Sequence, residues 1–185
     1  YNLYDIDVPL QEALVREGGG WAKDRVFQFG ALLGTQEVQK MGRDANRFSP
    51  ELKQFDRYGH RIDEVEFHPA YHHMMRLAKE NSVHSIAWKT KQQAGHVVHS
   101  VLEYMLGQIE SGVCCPITMT YAVVPALDHN PLLSAELRPK LLLSDYDSRC
   151  LPISQKSSLT MGMAMTEKQG GSDVRANTPI AKSIG

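Results

Sequence analysis

An alternation of large and small residues at positions 159–166 constrains this chain more than any other feature. The large apolar residues are Leu159, Met161, Met163 and Met165, and the smaller ones are Thr160, Gly162, Ala164 and Thr166. A period of two is typical of a β-strand whose two faces differ. A glycine within a strand often marks close approach of another group to the backbone. The pattern therefore predicts a strand with one bulky face and one nearly bare face, against which a flat group can lie.

A glycine-rich turn follows this predicted strand at positions 168–173. Gly170 and Gly171 can adopt a positive φ at little steric cost. The side chains of Ser172 and Asp173 can fold back onto neighbouring backbone amides. Such a turn points N–H groups outward, so the sequence predicts a backbone that can bind an anion such as a pyrophosphate.

The residues from Ala164 to Ala176 read Ala-Met-Thr-Glu-Lys-Gln-Gly-Gly-Ser-Asp-Val-Arg-Ala. This stretch resembles the first signature of the acyl-CoA dehydrogenase family: a small residue, an apolar residue, Thr-Glu, two free positions and Gly-Gly-Ser-Asp. Every fixed position of that signature is filled. Upstream, residues 115–121, 142–148 and 155–156 are similar to the AidB branch of the family, which comprises bacterial alkylation-response proteins. In the family the signature supports FAD, so the resemblance implies FAD as the cofactor.

The resemblance also implies roles for individual residues. Met163, Met165 and Thr166 would lie at the flavin ring, with main-chain N–H groups and the Thr166 hydroxyl facing its polar edge. Ser172 would reach the FAD pyrophosphate or the pantetheine part of an acyl thioester. The implied cofactor-binding set is Met163, Ala164, Met165, Thr166, Gly170, Gly171 and Ser172, and Ser172 is also the substrate-binding candidate.

Two alternatives bear on the same stretch. Methionines at alternate positions are often core packing, because Met fills irregular space readily; the adjoining Thr-Glu and Gly-Gly-Ser-Asp favour the cofactor interpretation. Glu167 has the chemistry of a catalytic base, but in the family that base is a glutamate far downstream. Glu167 is therefore interpreted as structural, and no catalytic residue is expected in this chain.

The chain before the signature is predicted to be helical. Apolar residues at helical spacing, first-turn prolines and closing glycines predict helices over 10–17, 21–33, 36–45, 69–81, 92–111 and 117–124. Residues 49–52 are predicted to form a helical turn, and residues 55–62 a surface hairpin that turns at Tyr58-Gly59. Residues 85–88 are apolar enough to enter the core. The helix over 117–124 is apolar almost all round and is predicted to be fully buried.

Residues 128–158 are rich in proline, serine and aspartate, which predicts a linker and a domain boundary. The predicted fold class is mainly α. An N-terminal acyl-CoA dehydrogenase-like helical domain over 1–151 is followed by the start of an antiparallel, flavin-binding β domain over 152–185. Because family members are much longer, the chain is expected to be the front portion of a longer protein.

Two threonines in the helix over 117–124 have two possible roles. In the family a helix here lies close to the acyl pocket, so Thr118 and Thr120 are candidate lining residues. Hydroxyls that bond back to their own helix are an equally good explanation.

The sequence gives little support for a metal site or for the motifs of other enzyme classes. Candidate metal ligands form two groups, His68, His72 and His73, and His96, His99 and Glu103. Neither has a Glu-x-x-His pair or a His-Glu-x-x-His motif, so no metal site is predicted, and histidines bonded to backbone or solvent are preferred. The chain also lacks the Gly-x-Ser-x-Gly and Gly-Lys-Ser/Thr motifs of hydrolases and nucleotide triphosphatases.

Composition limits which partners and which cellular location can be expected. The net charge is −1 and basic residues are scattered among acidic ones, so no nucleic-acid surface is expected within this segment. The cysteines Cys114, Cys115 and Cys150 are odd in number and read as small core thiols in a reducing compartment. The longest apolar run, 113–127, is too short to cross a bilayer. We expect a cytoplasmic protein without a membrane segment.

The resemblance implies an FAD-dependent oxidoreductase that dehydrogenates an acyl-CoA thioester between its α and β carbons, with the catalytic base outside this chain. Four subunits are usual in the family, so a homotetramer is expected. An alternative follows from the branch, namely an alkylation-response protein that binds FAD and protects DNA through a part outside this chain. A second alternative is an interaction module without activity.

Overall fold

The computed structural model describes residues 1–182 and 184, and within them eight α-helices and one antiparallel hairpin form the regular structure. The helices are α1 (Val8–Arg16), α2 (Lys23–Leu33), α3 (Gln36–Arg47), α4 (Pro69–Glu80), α5 (Ile86–Lys89), α6 (Gly95–Gly107), α7 (Cys114–Leu127) and α8 (Pro131–Leu141). The strands are β1 (Glu51–Phe55) and β2 (Arg61–Glu66). The predicted mainly α fold is confirmed.

Side-chain caps fix where several helices begin. Thr35 accepts a hydrogen bond from the Val38 N–H at 3.3 Å, which confirms the predicted start of α3. Asn130 accepts from the Leu133 N–H at 3.2 Å and begins α8 in the same way. Helices α1, α4 and α8 have proline in the first turn, where its missing N–H removes no helical hydrogen bond.

Helix α6 lies at the centre of the core and packs against α1, α2, α5 and α7. Its buried side chains are Val98, His99, Val101, Leu102, Met105 and Leu106. Burying one Leu or Met side chain contributes roughly 1.5–3 kcal/mol to folding. The predicted apolar stripe is confirmed, but the helix is shorter than residues 92–111. It begins after Ala94, whose φ of 59° places that residue in the left-handed region.

The hairpin is longer than the sequence predicts. Residues 49–52 do not form the predicted helical turn, because Leu52 belongs to β1 and pairs with Val65 of β2. The predicted turn is confirmed. Asp56 accepts hydrogen bonds from the Tyr58 and His60 N–H groups, and Gly59 has a φ of 85°. Strand pairing therefore outweighs the local preference of Ser49-Pro50 for a helix start.

The region from 114 to 158 also differs from prediction. Helix α7 is longer than residues 117–124 and is not fully buried, because only one side of it faces α4 and α6. Helix α8 occupies part of the predicted linker, since the Asn130 cap and first-turn Pro131 outweigh the interior Pro139. Cys115 and Cys150 are exposed rather than in the core, and all three cysteines are free thiols.

Residues 159–176, the signature segment, leave α7 and α8 at a small apolar cluster of Leu127, Leu141 and Leu159. The predicted strand over 159–165 is not formed. A strand requires a neighbouring strand, and in the part of the chain that the structure describes the only sheet is the β1–β2 hairpin. The Leu159 N–H instead donates to the Lys140 carbonyl at 3.3 Å.

A buried lysine joins α4 to the signature segment. Lys79 has no exposed surface, and its Nζ donates to the Leu159 carbonyl at 2.8 Å. Burial disfavours the charged form and lowers the pKa of Lys79 from 10.5 to about 8, because the attraction of Asp145 does not offset the desolvation. Lys79 therefore combines a structural hydrogen bond with an unfavourable burial of charge near neutral pH.

Close packing of α3 yields a first prediction. A Cβ on Gly42 would lie 2.6 Å from the Ile109 carbonyl oxygen, whereas a Cβ on Gly107 would meet nothing nearer than Cys114 Sγ at 3.6 Å. We expect Gly42→Ala to lower the free energy of unfolding by about 1–3 kcal/mol, despite the better helix propensity of Ala. The matched control Gly107→Ala should be neutral or slightly stabilising. Urea unfolding followed by circular dichroism measures both, and equal effects would contradict the packing argument.

The pKa of Lys79 yields a second prediction. Between about pH 8 and 10.5 the unfolded chain keeps the proton on this amine while the folded chain has released it. The contribution of Lys79 to the free energy of unfolding must therefore rise with pH across that window. Relative to Lys79→Met, the wild-type chain should gain stability as the pH is raised from about 7 to about 10. The exposed-lysine control Lys91→Met should follow the wild type, and parallel curves for wild type and Lys79→Met would refute the prediction.

Candidate functional site

The predicted cofactor residues lie together on the surface of the helical core. Leu159 is buried, but the chain emerges after Met161, and the side chains of Met163 and Met165 are 59% and 53% exposed. Ala164 and Thr166 are exposed between and beside them. The side chains of Met163 and Met165 therefore do not pack in the core of the described residues.

The backbone of this stretch has two parts. Residues 161–163 are the attached part, which is bonded to α7, and residues 164–166 are the free part. The Met161 N–H donates to Thr120 Oγ1 at 3.1 Å, and the Met163 N–H points to Met119 Sδ at 3.1 Å. The N–H groups of residues 164, 165 and 166 have no acceptor among residues 1–182 and 184. Consecutive free donors beside an exposed hydroxyl match the acceptor-rich edge of a planar ring, so these residues fit a flavin.

The turn after this stretch is held by an asparagine. Asn177 Nδ2 donates to the Met165 carbonyl at 2.9 Å. A Cβ on Gly170 would collide with Asn177 Oδ1, so glycine at this position allows the close approach of the two residues. The turn closes through the Gly170 N–H, which donates to the Glu167 carbonyl at 3.1 Å.

Two details of the predicted turn are wrong. Gly170 and Gly171 do not take a positive φ, because the bond from residue 170 to residue 167 closes the turn without it. The side chains of Ser172 and Asp173 form no hydrogen bond to neighbouring amides within the described part of the chain; the Asp173 carbonyl instead accepts from the Ala176 N–H at 3.1 Å. Ser172 is exposed, and its hydroxyl is thus available to a ligand.

Helix α7 lies directly beneath the attached part. The Thr120 hydroxyl donates to the Pro116 carbonyl at 2.7 Å, as expected for a hydroxyl bonded to its own helix, and also accepts from Met161. The Thr118 hydroxyl instead donates to Glu103 of α6. Neither contact tests the acyl-pocket role, which stays a prediction for both threonines.

One group of suspected metal ligands forms a closed hydrogen-bonded cluster. Both ring nitrogens of His99 face acceptors, the Val83 carbonyl at 2.7 Å and Glu103 Oε2 at 3.1 Å. Burial raises the pKa of Glu103, but hydrogen bonds from His99 and Thr118 outweigh it and leave that pKa lowered. His96 Nδ1 lies 2.6 Å from the hydroxyl of Tyr121, whose ring stacks on His99.

The other suspected group is dispersed. His68 caps α4 through the Ala70 N–H, and His72 Nδ1 lies 2.9 Å from the Tyr146 hydroxyl. Burial lowers the pKa of His72 and raises that of Tyr146. Among the described residues no cluster has the composition of a metal site. None of the helices there is long and apolar enough to cross a bilayer.

Sequence reasoning did not predict which residues attach the signature segment, and considered Thr120 only as an acyl-pocket residue or as a hydroxyl bonded to its own helix. Lys79, Thr120 and Asn177 contact it at Leu159, Met161 and Met165 respectively. The one available signal was Lys79 itself, a charged residue beside the buried Ala78 and four positions after the buried Met75. No spacing rule connects position 79 with position 159, so only the structure identifies the partner.

Comparison with known proteins identifies the family of the chain. Residues 1–148 match the family model described as the adaptive response protein AidB N-terminal domain. The chain is 45% identical over 185 residues to the Escherichia coli (strain K12) protein named "Putative acyl-CoA dehydrogenase AidB", in an alignment that covers 99% of this chain and 34% of that protein. It is 31% identical over 142 residues to acyl-CoA dehydrogenase family member 11 of Caenorhabditis elegans, covering 76% of this chain and 22% of that protein.

Solved structures share the fold. The Caenorhabditis elegans ACDH-11 structure in complex with C11-CoA superposes with a TM-score of 0.78 at 26% identity, over 97% of this chain and 30% of that chain. The structure named Bd2924 apo-form gives a TM-score of 0.80 at 24% identity, over 99% of this chain and 37% of that chain, and shows the fold alone.

The chain thus spans about a third of the length of the Escherichia coli relative and less of the Caenorhabditis elegans one. The family-model match and the identity along the whole chain are the evidence for its family. The chain belongs to the acyl-CoA dehydrogenase family, in the branch defined by the N-terminal domain of the adaptive response protein AidB.

Proposed function

We propose that this chain forms part of an FAD-dependent acyl-CoA dehydrogenase-like oxidoreductase. The observation that carries the proposal is the row of exposed backbone N–H donors at 164–166 within a complete family signature. The 45% identity to the Escherichia coli relative supports the same class of activity. Residues 1–151 would be its helical domain, and residues 152–185 the beginning of its flavin-binding β domain.

Met163, Ala164, Met165 and Thr166 would hold the flavin ring. The free N–H groups of residues 164–166 and the Thr166 hydroxyl would donate to the oxygens and nitrogens at its polar edge. The exposed methionine side chains would cover the ring and exclude water, for which their polarisable sulfur suits them. When bound, FAD supplies the acceptor for the hydride removed from the β carbon of the substrate.

Gly170, Gly171 and Ser172 would bind the pyrophosphate of FAD. A Cβ on Gly171 would meet no heavy atom within 4 Å, so the backbone there is open to a ligand. The exposed Ser172 hydroxyl would donate to the pyrophosphate or to the pantetheine part of an acyl-CoA. The relative ACDH-11 was crystallised with C11-CoA, which supports an acyl-CoA as the substrate class. The catalytic base would lie outside this chain.

The proposal also covers cellular location, oligomeric state and partners. We propose a cytoplasmic protein, because its three cysteines are free thiols, as is usual in a reducing compartment. A homotetramer is proposed by analogy with the family. We propose no nucleic-acid surface within this segment, since its net charge is −1.

The match to the adaptive response family model favours a second candidate function. In this alternative the protein binds FAD and protects DNA during an alkylation response, with the DNA contacts outside this chain. The two candidates share the cofactor site and differ in substrate, so they are separable by experiment.

A third prediction tests the cofactor site. The full-length protein should show bound flavin in its visible absorption spectrum, and the double variant Thr166→Ala with Ser172→Ala should bind FAD more weakly, because it loses two exposed donors. Thr178→Ala, which changes an exposed threonine outside the proposed set, is the matched control. A colourless wild type that takes up no added FAD would refute the flavoprotein proposal and favour an interaction module.

A fourth prediction separates the two functions. We expect acyl-CoA substrates of at least one chain length to bleach the flavin absorption anaerobically, since dehydrogenation passes a hydride to the cofactor. Duplex DNA binding should be measured on the same preparation by fluorescence anisotropy at two salt concentrations. Flavin that no acyl-CoA reduces, together with salt-dependent DNA binding, would reject the dehydrogenase in favour of the DNA-protecting protein.

A further inference from the structure

We propose that Thr120 and Lys79 are positioning residues, which set where residues 161–166 lie and thereby determine how tightly the flavin is held. This inference rests on the proposed function for the flavin and adds two residues outside the family signature. Neither residue would touch the cofactor in this role. Each acts through the backbone of the signature segment, at Met161 and Leu159 respectively.

Thr120 makes the last hydrogen bond to an oxygen acceptor before the free donors at 164–166. Its side chain is 1% exposed, and its hydroxyl is satisfied on both sides, donating to Pro116 and accepting from the Met161 N–H. Because the hydroxyl is fixed to its own helix by the first bond, it presents its lone pair to Met161 in one direction. This bond fixes the position of Met161 relative to helix α7, three residues before Ala164.

Lys79 fixes the segment two residues earlier. Its Nζ is enclosed and reaches the Leu159 carbonyl, while the Leu159 N–H donates to Lys140 of α8. Both backbone groups of Leu159 are therefore bonded to different helices. The Leu159 side chain is also buried against Leu127 and Leu141. Rotation of the chain at this residue would break all of these contacts together.

Core packing alone does not account for a lysine at this position. A buried amine is costly to desolvate, and an apolar residue of similar length would fill the same space without that cost. The Lys79–Leu159 bond is directional, which apolar contact is not. Since residues 164–166 leave the core with exposed side chains, directional bonds upstream are the means by which the helices can define their course.

The test uses the full-length protein and a matched pair of threonines. Thr120→Val removes the bond to Met161 and keeps the shape of the side chain, whereas Thr118→Val removes a hydroxyl on the same helix that bonds Glu103 instead. We expect Thr120→Val to raise the FAD dissociation constant about tenfold, because FAD binding must then order a segment that the lost bond no longer holds in place. Thr118→Val should leave it unchanged, and Thr120→Ser should restore it.

Hydrogen exchange of the flavin-free protein provides the second readout. The bonded amides of Leu159 and Met163, whose acceptors neither substitution removes, should exchange faster in Thr120→Val and Lys79→Met, but not in Thr118→Val or the exposed-lysine control Lys91→Met. Lys79→Met is especially informative, because removing a buried charge should not lower the melting temperature at neutral pH while still loosening the segment. A purely structural lysine would give a lower melting temperature and unchanged exchange at 159–166.

The two readouts keep the inference separate from the proposed function. A wild type that binds no FAD would reject the flavin proposal, and faster exchange in the variants would still establish the positioning of the segment. A wild type that binds FAD, with unchanged affinity and unchanged exchange in Thr120→Val and Lys79→Met, would overturn the inference and leave the flavin proposal intact.

Discussion

The burial of helix α6 is the constraint on which the rest of the structure depends. Its apolar side contacts four other helices, and its fully enclosed Leu102, Met105 and Leu106 join α2 and α7 into one core. Apolar burial is not directional, so it brings helices together without fixing the exact course of segments at their surface. The structure adds directional contacts where the course matters, and these lie on α4 and α7, the helices beside the signature segment.

Those directional contacts follow an order along the chain. Leu159 is held through its side chain and both backbone groups, Met161 through its N–H, and Met163 only by a weak contact with a sulfur acceptor. From residue 164 the core makes no further backbone contact of this kind within the described residues, and the next bond comes from Asn177 within the turn. The segment is thus firmly attached at its start and presented freely at the residues that match the family signature.

The helical core could be predicted from sequence because each helix has its own local signals. Thr35 caps α3, Pro69 opens α4 and the stripe of α6 repeats at helical spacing, so these elements could be predicted without knowing their neighbours. The strand over 159–165 could not be decided in this way. Alternation describes which faces a strand would have, but strand formation depends on pairing with another segment.

The candidate site could likewise be predicted only where its signals are local. The signature is contiguous in sequence, whereas Lys79 and Asn177 are informative only through their partners at 159 and 165. Helix α8 was missed for a different reason, because its start signals at Asn130 and Pro131 were present but the surrounding proline and serine content favoured a linker.

The exposure of the donors at 164–166 is itself physically informative. A backbone N–H buried without an acceptor costs on the order of 1–3 kcal/mol, so a fold rarely hides such groups. Here the N–H groups belong to exposed residues, and a ligand with acceptors along one edge can replace water there without breaking any bond of the core. Asn177 holds the Met165 carbonyl, which belongs to the same peptide group as the Thr166 N–H.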